Sequence, residues 1–192
     1  MSRGALLCYR SSATRLTQTW YNYLQALAFI HTLGIAHRDT EKSHFLVQYH
    51  PESLITMGVP LTRPRVYLND FEYAIDFVDP AATTDLGPAE GYLRQLAPEV
   101  YLGKQYDPFK ADVWQFGYSF SNFVSTIPAI DEILDNIISP DAAVRPTAAE
   151  ARDQLALVVH SMLPTALLIC PVVFERGQWQ TVEAWAKSIY GS

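Results

Sequence analysis

Two clusters of polar residues in the first half of the chain are of types that do chemistry. His37-Arg38-Asp39 sets an imidazole, a guanidinium and a carboxylate side by side, and Glu41, Lys42 and His44 follow at once. Asp70-Phe71-Glu72 adds two more carboxylates. Groups of these types transfer protons or hold hard cations. Taken singly, each also has a plainer reading: Asp39 as a loop residue capping its own backbone, Asp70 as a strand-end turn residue. Other combinations fail. Gly117-Tyr118-Ser119-Phe120-Ser121 only approaches the G-x-S-x-G nucleophile elbow, and it sits in a helical pattern with no strand before it. His31, His37, His44 and His50 recur at six- or seven-residue intervals with no cysteine nearby, a poor spacing for zinc.

Several elements must position these residues. Leu16, Trp20, Tyr23, Leu24, Leu27, Ile30 and His31 recur mostly at three- and four-residue spacing, so an amphipathic helix covers Ala13 to Leu33, with Gly34 as its C-cap. Short β runs follow at Phe45–Tyr49, Arg65–Leu68 and Tyr73–Phe77, bounded by Pro, Gly, Asn and Asp. A loop joins the first two runs from His50 to Pro64, and Asp79 to Gly91 reads as irregular chain. The second half is helical. Phe109–Val124 is apolar around most of its circumference, the pattern of a buried helix. Ala129–Ile138 is shorter. Thr147–Met162 follows Pro146 and opens on a capping box of Thr147 and Glu150. The fold class is mainly α, α+β overall, with a small β patch around the first polar cluster.

The order of the motifs is more specific than any one of them. His37-Arg38-Asp39, Asp70-Phe71-Glu72, Ala97-Pro98-Glu99, Asp112-Val113-Trp114 with Gly117, and Arg145-Pro146-Thr147 occur in that sequence. This series resembles the large, C-terminal lobe of a protein kinase. The resemblance covers about Thr14 to Met162, leaving a lead-in of residues 1–13, a lobe of residues 14–162 and a tail of residues 163–192. The D-F-E triplet and the long loop after the first β run are similar to kinase-like proteins of mushroom-forming fungi.

The resemblance implies ATP-dependent, Ser/Thr-type protein phosphorylation with Mg²⁺. In that frame Asp39 accepts or orients the proton of the attacking hydroxyl. His37 braces the loop, and Arg38 faces a phosphate or carboxylate of the activation segment. Asp70 is the Mg²⁺ carboxylate, with Phe71 packed beneath it. His44 and Lys42 stand near the phosphates. Glu99 and Arg145 form a partly buried ion pair, and Asp112 braces the catalytic loop. Thr83, Thr84 and Tyr92 are either candidate phosphorylation sites facing Arg38 or, as the commoner behaviour of loops has it, incidental hydroxyls of a solvated loop.

Four departures weaken the catalytic side of the resemblance. Glu41 replaces a Lys, His44 replaces a metal-binding Asn, and Glu72 replaces a Gly. There is no G-x-G-x-x-G, and the stretch ahead of the first helix is too short for a small lobe. The expectation is a degenerate or truncated kinase-like domain, or alternatively a non-catalytic interaction module of the pseudokinase type. Its partner is another protein or the missing small lobe, and apolar residues should be exposed where that lobe docks.

Composition bounds the alternatives. A chain of 192 residues suits one or two domains, and 49% apolar content supports a core. A net charge of −6 argues against a nucleic-acid binder. No basic run marks an anionic membrane partner. The apolar stretch Leu155–Phe174 contains His160, Pro164 and Pro171 and reads as a helix with an extended tail rather than a membrane span. Cys8 and Cys170 form no framework, and no signal peptide opens the chain, so the expected setting is intracellular and cytoplasmic.

Overall fold

The computed structural model describes residues 13–48, 65–77, 83–88, 90–163, 172–175 and 178–181. Residues 1–12, the loop His50–Pro64, both cysteines and most of the apolar stretch after Leu163 lie outside the described residues. Helix α1 (Ala13–Thr32) buries Trp20, Tyr23, Leu24 and Leu27, the stripe that its spacing predicts. It ends at Gly34, whose φ of 77° suits a residue without a Cβ. A Cβ there would also collide with the carbonyl of Phe77, whose amide donates to Gly34 at 2.7 Å. That close approach brings β1 (Ile35–Ala36) against β4 (Ile75–Asp76) in an antiparallel pair.

A second antiparallel pair joins β2 (Phe45–Gln48) to β3 (Arg65–Leu68), with Phe45 opposite Leu68. The β run expected over Tyr73–Phe77 is shorter than its composition suggests. Residues Phe71–Tyr73 form a 3₁₀ turn, closed by the Ala74 amide on the Phe71 carbonyl at 3.1 Å, and only Ile75–Asp76 is extended.

Helix α2 (Pro98–Tyr101) is a single turn. Helix α3 (Pro108–Tyr118) starts at Asp107, whose carboxylate accepts the amides of Phe109 and Lys110. The helix expected to run to Val124 stops at Tyr118. The Ser119 hydroxyl donates to the Phe116 carbonyl at 2.7 Å, and the Phe120 amide turns back to Gly117 at 3.0 Å. Such local bonds compete with the helical ladder. The apolar residues beyond still pack inward: Phe120 and Phe123 stand edge-on to Trp20, with centroids 5.6 and 4.8 Å away. Residues Phe123–Val124 form β5, which pairs with β6 (Val172–Glu175), and β6 pairs with β7 (Gln178–Thr181).

Helix α4 (Pro128–Ile137) buries Ile130, Ile133 and Ile137. Helix α5 (Ala148–Ser161) opens on the capping box: the Glu150 amide donates to the Thr147 hydroxyl at 3.2 Å, and the Thr147 amide donates to the Glu150 carboxylate at 2.8 Å. Helices α1, α3, α4 and α5 enclose one core around Leu27, Phe116, Ile130 and Ile137. Each such side chain contributes about 1.5–3 kcal/mol on burial. Among the described residues the architecture is therefore mixed: helices with three small antiparallel sheets. Among the described residues no helix is long and apolar enough to cross a membrane.

Candidate functional site

The loop 37–40 is held from beneath by α3. Asp112 and Gln115 lie three residues apart, on one face of that helix. The Asp112 carboxylate accepts the amides of His37 and Arg38, both at 2.7 Å, and faces His31 Nε2 at 3.0 Å. The Thr40 hydroxyl donates to the Asp112 carbonyl at 2.6 Å, and the Thr40 amide donates to Gln115 Oε1 at 2.9 Å. These bonds fix Arg38 at a φ of 63°, a left-handed conformation that costs roughly 1–2 kcal/mol in a non-glycine residue.

His37 is fully buried, with Nε2 3.0 Å from the Asn69 carbonyl and Nδ1 accepting the Asp39 amide at 3.3 Å. Burial lowers its pKa below 6.5, against the opposing pull of Asp112. It thereby ties the 37–40 loop to the residue before Asp70.

Asp39 is 3% exposed. Its Oδ1 accepts the Tyr92 hydroxyl at 2.8 Å and lies 3.2 Å from Arg94 Nε. Gln115 donates in turn to the Tyr92 hydroxyl. Burial, then the bond to Asp39, pushes the Tyr92 phenol well above its ordinary range. His44 is buried between two carboxylates, with Nδ1 3.4 Å from Asp39 Oδ2 and Nε2 3.4 Å from Asp70 Oδ2. Its Nδ1 also lies 2.8 Å from the Asp39 carbonyl, so Nδ1 carries hydrogen and Nε2 accepts from Arg94 Nη2 at 2.9 Å. Arg94 Nη1 reaches Glu41 and the Ser43 hydroxyl, the latter at 3.2 Å. One guanidinium thus spans Asp39, Glu41, Ser43 and His44.

The remaining residues of the two clusters point elsewhere. Arg38 donates to the Gly87 carbonyl at 2.5 Å, a backbone oxygen rather than the phosphate or carboxylate that the resemblance implied. The Lys42 ammonium lies 5.9 Å over the Phe120 ring. Asp70 has a φ of 65° and an exposed carboxylate, and Glu72 is exposed. Phe71 stacks obliquely on His37 at 4.7 Å but stays 44% exposed, not packed in the core as expected.

Of the hydroxyls considered for phosphorylation, Thr83 is exposed. Thr84 is buried and exchanges two backbone bonds of 2.8 Å with Tyr106, while its hydroxyl accepts the Leu86 amide. The Thr84 hydroxyl is thus engaged inside the fold rather than presented to solvent. Tyr92 is committed to Asp39. Glu99 and Arg145 form a bidentate ion pair at 2.7 and 3.1 Å, and Arg145 also donates to the carbonyls of Lys110 and Ser139.

A divalent metal fits these residues poorly. Mg²⁺ requires near-octahedral oxygen ligands. Next to Asp70 stands an imidazole nitrogen whose lone pair already faces a guanidinium. Among the described residues no group of three or more His, Cys, Asp or Glu side chains can hold a metal ion. What the cluster can do is hold a carboxylate closed and charge-balanced. Arg94, Thr40 and Gln115 were not singled out from the sequence. They occupy no motif, and the one signal for Arg94 was an excess of carboxylates over cations around Glu41.

Apolar surface lies nearby. Leu46 and Tyr67 are cross-strand partners on β2 and β3, 52% and 48% exposed.

No protein-family model matches the chain. It is 33% identical over 105 residues, 54% of its length, to the serine/threonine-protein kinase ppk8 of Schizosaccharomyces pombe. It is 32% identical over 119 residues, 59% of its length, to the serine/threonine-protein kinase MAK of Rattus norvegicus and to that of Mus musculus. The chain spans only 17–18% of the length of these relatives. Over these stretches the chain is similar to parts of serine/threonine-protein kinases.

Proposed function

We propose that the chain is the large-lobe part of a protein-kinase-like domain that keeps the frame of a phosphotransferase but holds its reactive carboxylate closed, and so acts as a non-catalytic, partner-binding module. The observation that carries this reading is the pair of side chains on Asp39: Tyr92 and Arg94 occupy the oxygen that a substrate hydroxyl would approach. Glu41 and His44 support it, since both weaken phosphate and Mg²⁺ binding relative to the Lys and Asn of the family pattern. The lobe covers residues 14–162, and β6 and β7 of the following tail extend its edge at β5. Leu46, Tyr67 and Phe71 offer apolar surface for a protein partner or a small lobe. The Asp70-Phe71-Glu72 triplet supports a likeness to the kinase-like proteins of mushroom-forming fungi, and the wide separation of Cys8 and Cys170 in the sequence supports a cytoplasmic setting.

Transfer of labelled phosphate from ATP, with Mg²⁺ or Mn²⁺, onto an acceptor protein tests this reading. Wild type should match Asp39→Asn. Incorporation that depends on Asp39 would overturn it. The second reading, ATP-dependent Ser/Thr phosphorylation, has one observation in its favour. Asp39 and Asp70 are far apart in sequence yet face the same imidazole at 3.4 Å each. Under that reading Tyr92 and Arg94 must leave Asp39 before transfer.

A further inference from the structure

We propose that Arg94 is a resident cation that takes the place of a divalent metal at this site. The inference rests on the kinase-like reading of Asp39 and Asp70, and it concerns how their charge is balanced. Asp39, Glu41 and Asp70 bring three carboxylates around His44 and Arg94. Carboxylates in close company repel one another unless a cation intervenes. The basic residues of the loop itself are engaged elsewhere: Arg38 on the Gly87 carbonyl, Lys42 over Phe120. Arg94 approaches from the segment ahead of α2 and uses all three of its nitrogens. Nε faces Asp39 at 3.2 Å, Nη1 meets Glu41 and Ser43, and Nη2 donates to His44 at 2.9 Å.

A guanidinium suits this work because it is always charged and its planar fork serves several acceptors at once. Glu41 then has a purpose: it anchors Nη1 and so aims the rest of the guanidinium at Asp39 and His44. The acid at position 41 and the arginine at position 94 form one device. With that device in place, the loop keeps its geometry without metal or nucleotide.

Thermal melting of the full chain in EDTA and in Mn²⁺ tests the proposal. Wild type should melt at the same temperature in both. Arg94→Gln should melt roughly 5–10 °C lower in EDTA, the order expected when a partly buried carboxylate loses its partner in a chain of this length. Mn²⁺ should restore part of that loss. Arg94→Lys, which keeps the charge, should stay indifferent to Mn²⁺. If Arg94→Gln does not fold, Glu41→Gln/Arg94→Gln carries the same comparison with one carboxylate fewer. A wild-type midpoint that rises with Mn²⁺ would overturn the proposal. So would a folded Arg94→Gln, or the double variant in its place, that ignores Mn²⁺. Asp39-dependent phosphate transfer alongside metal-insensitive melting would sink the non-catalytic reading alone and leave the resident cation standing.

Discussion

The underside of the 37–40 loop and its rim are built from neighbouring residues, yet they are held in opposite ways. Beneath the loop, each polar group is buried and has a backbone partner. Asp112 takes the amides of His37 and Arg38, and His37 takes the Asp39 amide and faces the Asn69 carbonyl. Away from the loop, Arg145 plays the same part in the frame, donating to the carbonyls of Lys110 and Ser139 as well as to Glu99. At the rim, Glu41, His44, Asp70 and Arg94 bond mainly to one another, and Asp70 is half exposed. A side chain that shapes backbone cannot change without leaving an amide or carbonyl unsatisfied, at about 1–3 kcal/mol for each group. Side chains that balance charge can be exchanged as a set, provided the total is kept. The frame therefore keeps the motif residues, and the rim carries the departures Glu41, His44 and Glu72.

This contrast breaks if a frame residue proves cheap to remove. Arg145→Ala should have the largest effect, about 3–5 kcal/mol by urea unfolding, because it leaves Glu99 unpaired and takes the guanidinium donor from the carbonyls of Lys110 and Ser139 around a residue only 1% exposed. Asp112→Ala should follow at about 3 kcal/mol, since it strands the buried amide of His37 and the part-buried amide of Arg38.

A smaller effect should appear with pH. His37 titrates below 6.5 in the folded chain because it is buried. The unfolded chain therefore takes up a proton that the folded chain refuses. Stability should be complete above pH 6.5 and decline as the pH falls below it, a trend that unfolding curves of His37→Gln should lose in part. At the rim, Lys42→Ala should be the smallest change, within about 0.5 kcal/mol, because its ammonium rests only over a ring. A loss there as large as that for Asp112 would erase the distinction between the two regions.

Much of the frame was legible in the sequence, because it follows from period and local capping. The stripe Trp20, Tyr23, Leu24 and Leu27, the stop at Gly34, and the box of Thr147 with Glu150 each rest on residues within a turn or two of one another. The end of α3 was not legible. Phe120, Phe123 and Val124 continue an apolar pattern, yet they are half-buried, the two rings against Trp20 and the Phe123–Val124 strand beside β6, after the chain has turned at Ser119. The strand expected from Tyr73 failed for a similar reason: the turn at Phe71–Tyr73 depends on the left-handed Asp70, which composition does not reveal. The site was half legible. Asp39, His44 and Asp70 stood out by type and position. Arg94 did not, because its partners lie some fifty residues earlier and only the folded chain brings them to it.

The central claim is that Asp39 is closed by its own chain. Carbodiimide labelling of carboxylates, read by mass spectrometry on the folded wild-type chain, tests it most directly. Asp70, with its side chain 47% exposed, should react readily. Asp39 should remain as unreactive as the buried Asp112. An Asp39 that labels as fast as Asp70 while Asp112 stays protected would contradict the account.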